Sequence, residues 1–370
     1  MCTLAVTLVA LATAGAALAA TGTVSASGSD EFGQLGNGAG GSSRTPVAVV
    51  GLAGVTQIDG GREHAVALRG DGTVWAWGHN IYGQIGDGTK TNRQSPVQVS
   101  GLTGVTAVET GHYSSMALKS DGTVWAWGWN KFGTLGDGTT TNRSVPVKVS
   151  GLANIVAIAG ARDHALALRG DGTVWAWGDN EFGNLGTGNT TNHLTPVQVQ
   201  SLANVVAIAG GRDHSLAVRT DGTVWAWGWN TYGQIGDGTK ANRLTPVQVT
   251  GLTGVTQVSA GAEHSMALTS AGVVWTWGHN NDGQLGDNTV TTRTRPVRVS
   301  GISNVVDIGN GRLHSLAIES DGSLWTWGLN STGQLGDGTT TNRRVPVKIA
   351  GISGAFGVGG GVNYSVVLHA

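Results

Sequence analysis

Short runs in which large apolar residues alternate with small or polar ones recur along this chain between Gly-rich turns, the signature of β-strands. In the copy at residues 51–100, Val55–Ile58 predicts strand A and His64–Leu68 strand B. Thr73–Trp77 predicts strand C and Pro96–Val99 strand D. Side chains alternate across a strand, so Val66 and Leu68 point one way from strand B while Ala65 and Ala67 point the other. On strand C, Trp75 and Trp77 share one face, and Val74 and Ala76 share the opposite one. Large opposite small is what stacked sheets need in order to interdigitate. Pro96 is expected to open strand D, a position that tolerates a residue without an N–H.

This pattern has a period of fifty. Pro stands at 46, 96, 146, 196, 246, 296 and 346 and nowhere else. Trp pairs keep the same spacing from Trp75/Trp77 to Trp325/Trp327, and Ser25/Ser27 takes their place in the first copy. Residues 21–370 hold seven such periods. The first copy, from Thr21, begins at strand C, and the last, Gly351–Ala370, stops after strand B. Together the two fragments make one blade. The expected fold is therefore all-β: a closed seven-bladed β-propeller of four-stranded antiparallel blades, its closing blade shared by the two termini. An open array would need polar caps at its ends instead.

Composition narrows the classes of function. The 370 residues include 62 Gly, spent in turns and not at every third position, which excludes a collagen-like chain. Charged residues make up only 12%, with a net charge of −1 and no basic face, so no nucleic-acid partner is expected. Cys2 is the single cysteine, which excludes a disulfide framework and a Cys-based metal site. Leu4–Ala20 is an uncharged apolar run ending in Ala17-Leu18-Ala19, an A-x-A cleavage pattern. Residues 1–20 are read as a signal peptide and 21–370 as the propeller, which places the mature chain outside the cytoplasm with no membrane span. A buried strand pair is the alternative for this segment, because Ala17-Leu18 aligns with the Ala-Leu of later repeats.

The run "DGTVWAWGHNIYGQIGDGTKTNRQSPVQV" at 71–99, preceded by "GGREHAVAL", resembles the regulator of chromosome condensation repeat, and the resemblance spans 21–370. Kelch repeats have a similar period but lack the W-A-W-G-x-N-x-x-G-Q-L-G-D-G run. The resembled family includes an exchange factor for a nuclear GTPase, a plant UV-B photoreceptor and many bacterial proteins of unknown role. A secreted propeller that inhibits β-lactamases is a more distant cousin. The exchange factor works through a β-wedge inserted in one blade and has a basic N-terminal tail; seven equal periods leave no room for the first, and the second is absent. The photoreceptor carries Trp beside Arg in the A–B turn, where this chain has "GGREHA", "GARDHA" and "GGRDHS".

In an antiparallel meander the A–B and C–D loops share one end of the ring, and the B–C and D–A loops share the other. The B–C turns are near-identical Asp-Gly hairpins, such as Asp71-Gly72, Asp121-Gly122 and Asp171-Gly172. The A–B tips vary from copy to copy, and so does the residue after W-x-W-G. Exposed loop positions that vary are where a specific surface can be written, and Arg, Tyr and Trp dominate protein-binding surfaces. The candidate binding residues are Arg62, His112, Tyr113, Trp129, Arg162, Arg212, Trp229 and Arg312. Tyr82, Phe132, Phe182 and Tyr232 are expected to pack each C–D loop onto its own blade; for Trp129 and Trp229, packing and binding stand equally open.

Other constellations are read as structural. His64, His164, His214, His264 and His314 stand one to a blade, and stacked sheets lie too far apart for them to share a zinc ion, so hydrogen-bonded structural histidines are expected. Asp87 and Arg93, with their repeats, are expected to pair within the C–D loop, calcium binding being the minor alternative. No copy presents a singular cluster of the kind catalysis needs. The expectation is a secreted, non-catalytic monomer without cofactor or metal, binding a protein or other macromolecule through its A–B/C–D end. The alternatives are a GTPase exchange factor, as the resemblance implies, and a purely structural surface protein.

Overall fold

The computed structural model describes residues 22–370; the proposed leader at 1–20 lies outside them. Among the described residues twenty-eight strands form seven four-stranded antiparallel sheets, six of them with neighbouring strands in chain order and the seventh joining the first two strands to the last two. In blade 1, strand A is Val55–Gly60, B is His64–Arg69, C is Val74–Gly78 and D is Arg93–Gln98. Blades 2 to 6 follow at intervals of fifty residues. Blade 7 takes strands A and B from Ala355–Gly360 and Tyr364–His369, and C and D from Thr23–Gly28 and Ser43–Ala48. Its central pairing runs unbroken from Thr23↔His369 to Gly28↔Tyr364, so the two termini close the ring as one sheet.

Each gap between blades is a separate core. Val66, Leu68, Val74 and Ala76 of blade 1 face Val105, Val108, Ala117 and Trp127 of blade 2. On the other face of blade 1, Ala65, Ala67 and Trp77 meet Val24, Ala26 and Leu35 of blade 7. The large-against-small alternation on strands B and C thus decides which side of a blade receives its neighbour's indole. Trp77, Trp127, Trp177, Trp227, Trp277 and Trp327 are fully buried, which makes the inner Trp of each pair the largest single contributor to its gap. Gly78 ends strand C with φ 101°, and a Cβ there would strike Glu63 O and the Cα of His64, which fixes the Gly of W-x-W-G.

Pro96 does not open strand D. It lies fourth in Arg93–Gln98, between the pairings Gly78↔Arg93 and Ala76↔Val97, where strand D bulges outward against strand C. A bulge on the outer edge strand needs no ladder donor at that point, so Pro is accommodated and also blunts the exposed edge.

Polar latches join the blades. The His64 Nε2 and Ser115 Oγ lie 3.0 Å apart across the first gap, and both residues are fully buried. The Ser115 hydroxyl donates to Gln84 O at 2.9 Å, so its oxygen must accept from His64 Nε2–H. Trp127 Nε1 donates to the same carbonyl at 2.9 Å. The arrangement repeats as His164–Ser215, His214–Ser265, His264–Ser315 and His314–Ser365. Where the histidine is missing, its serine is missing too: Ser114 faces Ala165, and Tyr364 faces Ala65 with its hydroxyl on His64 O. These histidines are structural, as expected, and among the described residues no group of three or more His, Cys, Asp and Glu could hold a metal ion.

Candidate functional site

The seven A–B tips meet around the ring axis. Each tip N–H donates to a carbonyl of the next tip: Arg62 to His112, His112 to Ala161, Arg162 to Gly211, Arg212 to Gly261, Ala262 to Arg312, Arg312 to Gly361 and Val362 to Arg62, all at 3.0–3.3 Å. The circle closes without a break, and it consumes the backbone donors of the tips. What the mouth offers a ligand is therefore set by side chains. They enclose a cavity of about 530 Å³ whose wall includes Arg62, His112, Tyr113, Trp129, Arg162, Arg212 and Arg312.

The structure divides the eight candidate residues into a close group, a pair joined through Asp213 to Arg162, and Arg312 by itself. In the close group, Arg62 Nη1 lies 3.2 Å from His112 Nε2, and the Arg62 guanidinium sits 5.1 Å over the Tyr113 ring. A guanidinium has only donors, so His112 accepts at Nε2 and carries its proton on Nδ1. Burial, with the charges of Arg62, Arg162 and Arg212, holds the His112 pKa down at about 3, which keeps the ring neutral. Tyr113 stacks on His112 at 4.6 Å and meets Trp129 edge-on at 6.4 Å. In the pair, Arg212 lies 5.5 Å over Trp229.

Arg162 and Arg212 share carboxylates. Arg162 bonds to Asp163 at 2.6 Å and approaches Asp213 to 3.3 Å; Arg212 reaches Asp213 at 3.2 Å and Glu263 at 3.3 Å. Arg62 pairs with Glu63 at 3.3 Å. Burial pushes the Asp213 pKa up to about 6 against the pull of Arg162 and Arg212, and it raises that of Asp163. Arg312 is exposed, with Leu313 beside it and Asn363 on the next tip in place of carboxylates. It alone of the four has no ion pair among the described residues.

The C–D loops flank this mouth: His79 N donates to Glu63 O at 2.8 Å, which seats the loop of blade 1 on its own A–B tip. Their aromatics do not stay within one blade. Tyr82 lies 5.0 Å from Tyr113 and 6.2 Å from Trp129, both of blade 2. Phe182 reaches Trp229 of blade 4 at 6.0 Å, and Tyr232 reaches His279 of blade 5 at 4.5 Å. Only Phe132, edge-on to Trp129 at 5.6 Å, keeps to its own blade. The rings are long enough to bridge the wedge-shaped opening between loops, which the expectation of packing within a blade overlooked. Two arcs result: Phe32–His79–Tyr82–Tyr113–Trp129–Phe132 and Phe182–Trp229–Tyr232–His279. Trp129 and Trp229 are half-buried within them.

Within each C–D loop the recurring Asp is occupied by its own chain. Asp87 accepts from Thr89 N and Oγ1 at 2.9 and 2.7 Å and from Arg93 Nε at 2.7 Å. Asn80, fully buried, bonds to Ile85 N and Thr91 O and holds the loop shut. Below the mouth, the channel of about 470 Å³ between the A strands carries Asp59, Glu109 and Asp307. Burial raises all three pKa values, that of Asp307 to about 6. At the far end, four Asp-Gly hairpins repeat one geometry, Asp71 Oδ1 accepting from Thr73 N and Oγ1 at 3.0 and 2.6 Å, and Asp321 accepts from Ser323 N at 2.8 Å.

Comparison with known proteins agrees with this architecture. A family model described as the RCC1-like domain matches residues 105–367, and models of the regulator of chromosome condensation (RCC1) repeat match 21–68, 71–118 and 55–84. No curated protein matches the chain by sequence. Among solved structures, Prp20p from Saccharomyces cerevisiae superposes with a TM-score of 0.86 at 23% identity, over 96% of this chain and 92% of that one. Human WBSCR16 superposes with a TM-score of 0.84 at 23% identity, over 94% and 98%. These likenesses are of fold.

Proposed function

The chain belongs to the RCC1-like domain family, and from that premise we propose that it is an exported, non-catalytic scaffold that binds another protein through its A–B/C–D end. One observation carries this reading: departures from the fifty-residue repeat collect at that end. Arg62, His112, Tyr113, Trp129, Arg162, Arg212 and Arg312 all line one mouth, whereas at the opposite end four of the six B–C hairpins repeat the same Asp–Thr geometry, and Asp321-Gly322-Ser323 is a near copy of it. A fold that needs only its repeat has no use for such a sector, and Arg with half-buried aromatics is the composition of a protein-binding surface.

A GTPase partner is the second reading. It is supported by family membership and by the fold likeness to Prp20p, whose binding to Gsp1p and histones has been described. The regular fifty-residue spacing of the strands, with no inserted segment among the described residues, counts against it.

The test uses the folded ring as bait against the extracytoplasmic and cytoplasmic fractions of its own cells, beside a W129A/W229A variant of matched stability. A protein retained by the ring, lost with the variant and found in the extracytoplasmic fraction is the expected result. A cytoplasmic, nucleotide-binding protein would favour the second reading. Export itself predicts a secreted species starting near Thr21, and an intact mass beginning at Met1 would overturn it.

A further inference from the structure

We propose that the mouth of the ring is an anion pocket that receives an acidic segment of the partner protein, with Arg312 as its primary contact. This rests on the reading of the A–B/C–D end as the protein-binding surface and names the chemistry of what it binds. The first observation is the sign of the lining. Four guanidinium groups, Arg62, Arg162, Arg212 and Arg312, face the cavity, against the single carboxylate of Asp163. Glu63, Asp213 and Glu263 pair with three of these arginines from outside the cavity wall. Those three arginines are thereby fixed in place but partly neutralised.

The second observation is the exception. Arg312 projects from the tip of blade 6 with no carboxylate partner among the described residues, because Leu313 and Asn363 replace the acids found beside the other arginines. The neighbouring wall of blade 7 is Gly360-Gly361-Val362, which brings no charged side chain to Arg312. With the other three arginines paired to Glu63, Asp163, Asp213 and Glu263, Arg312 is the uncompensated cation of a concave site, and it is complementary to an anion.

The third observation fixes depth. His112 is held neutral and donates only through Nδ1, so it adds a polar contact without a charge. Beneath it the channel turns acidic at Asp59, Glu109 and Asp307. The channel offers a carboxylate no Arg or Lys among the residues that line it, so the mouth is where an anion is held. The ligand sits at the rim, where the arc through Tyr113 and Trp129 can hold its neighbouring apolar side chains. A cavity of about 530 Å³ accommodates a few side chains of such a segment.

The probe is a fluorescein-labelled hexaglutamate peptide, read by anisotropy with the whole ring, with labelled hexaglutamine as the neutral control and inorganic phosphate as competitor. Hexaglutamate should bind at least about tenfold more tightly than hexaglutamine, and R312A should lose about tenfold. R312K should recover part of the loss, and D71A at the opposite end should leave affinity unchanged. Binding should weaken steeply with added salt. Equal affinity for both peptides, or hexaglutamate binding unaffected in R312A, overturns the anion pocket. Displacement by millimolar phosphate alone would assign the pocket to a free anion and overturn the choice of a protein segment. The reading of the surface is separable: a captured protein that needs Trp129 and Trp229 but not Arg312 would uphold it while removing this proposal.

Discussion

Mild acid should unfold this propeller by way of its latches. His64, His164, His214 and His264 are held by burial at a pKa of about 3, and His314 at about 4. Each gives its Nε2–H to a serine and leaves Nδ1 buried without a partner, so a second proton has no acceptor in the fold. In the unfolded chain the same groups titrate near 6.5. Between about pH 6.5 and 3 the unfolded state therefore binds more protons, and stability present at neutral pH falls as the pH falls. From pH 7 to 5 each histidine costs about 2 kcal/mol, or roughly 10 kcal/mol for the five. His112, also near 3, adds in the same direction.

Buried carboxylates oppose this loss. Asp213 and Asp307, raised to about 6, take up protons in the fold and return about 1 kcal/mol or slightly more each over the same range, and Glu109 acts with the same sign. The net loss is about 7 kcal/mol, comparable with the whole stability of a typical domain. Urea titrations followed by Trp fluorescence at half-unit steps from pH 7.5 to 5 measure it. The slope of stability against pH near 5.5 should correspond to a net uptake of about 3–4 protons on unfolding. The double variant H214L/S265A, which removes one latch, should lower that count by about one. A stability that is flat or rises on acidification would refute the argument.

Other consequences concern closure and the indole anchors. Deleting Gly351–Ala370 removes strands A and B of blade 7 and the tip hydrogen bonds from Arg312 to Gly361 and from Val362 to Arg62, so the single cooperative melting transition should be lost. An unchanged calorimetric transition would show that the termini do not close the ring. W127F leaves a smaller ring in the gap between blades 1 and 2 and removes the donor to Gln84 O, so lost packing and the lost hydrogen bond together should cost about 2 kcal/mol or more by urea titration. A loss no greater than measurement error would mean that the carbonyl is satisfied by Ser115 alone.

The blade architecture could be read from the chain because its markers are rigid. Pro96 and its six equivalents, with the Trp pairs, fix the period without insertions, and the alternation on strands B and C fixes which faces meet. The markers did not fix every local detail. Pro96 lies within strand D because a bulge, which no local signal marks, carries the strand past it. The latches were legible and missed: wherever a blade has His at the position of His64, the next blade has Ser, and where it has Ser114 or Tyr364, the next has Ala. Comparing neighbouring copies in pairs, instead of each column alone, exposes that rule. Seven of the eight candidate residues line one mouth and Trp229 lies beside it under Arg212, since topology alone places A–B and C–D loops together. Their electrostatics needed three dimensions, because Asp213 ties Arg162 of the preceding blade to Arg212, and of the four mouth arginines Arg312 alone has no carboxylate partner among the described residues.

The central claim, that one end of the ring is the binding surface, is tested most directly by measuring affinity for the captured partner in variants of the two ends, each checked for stability by the same urea titration. W129A/W229A should weaken binding by about 2 kcal/mol or more per residue that anchors the partner, while D71A/D121A/D171A should leave affinity unchanged even where the loss of Asp–Thr turns lowers stability. Equal losses from both ends at matched stability would contradict the claim.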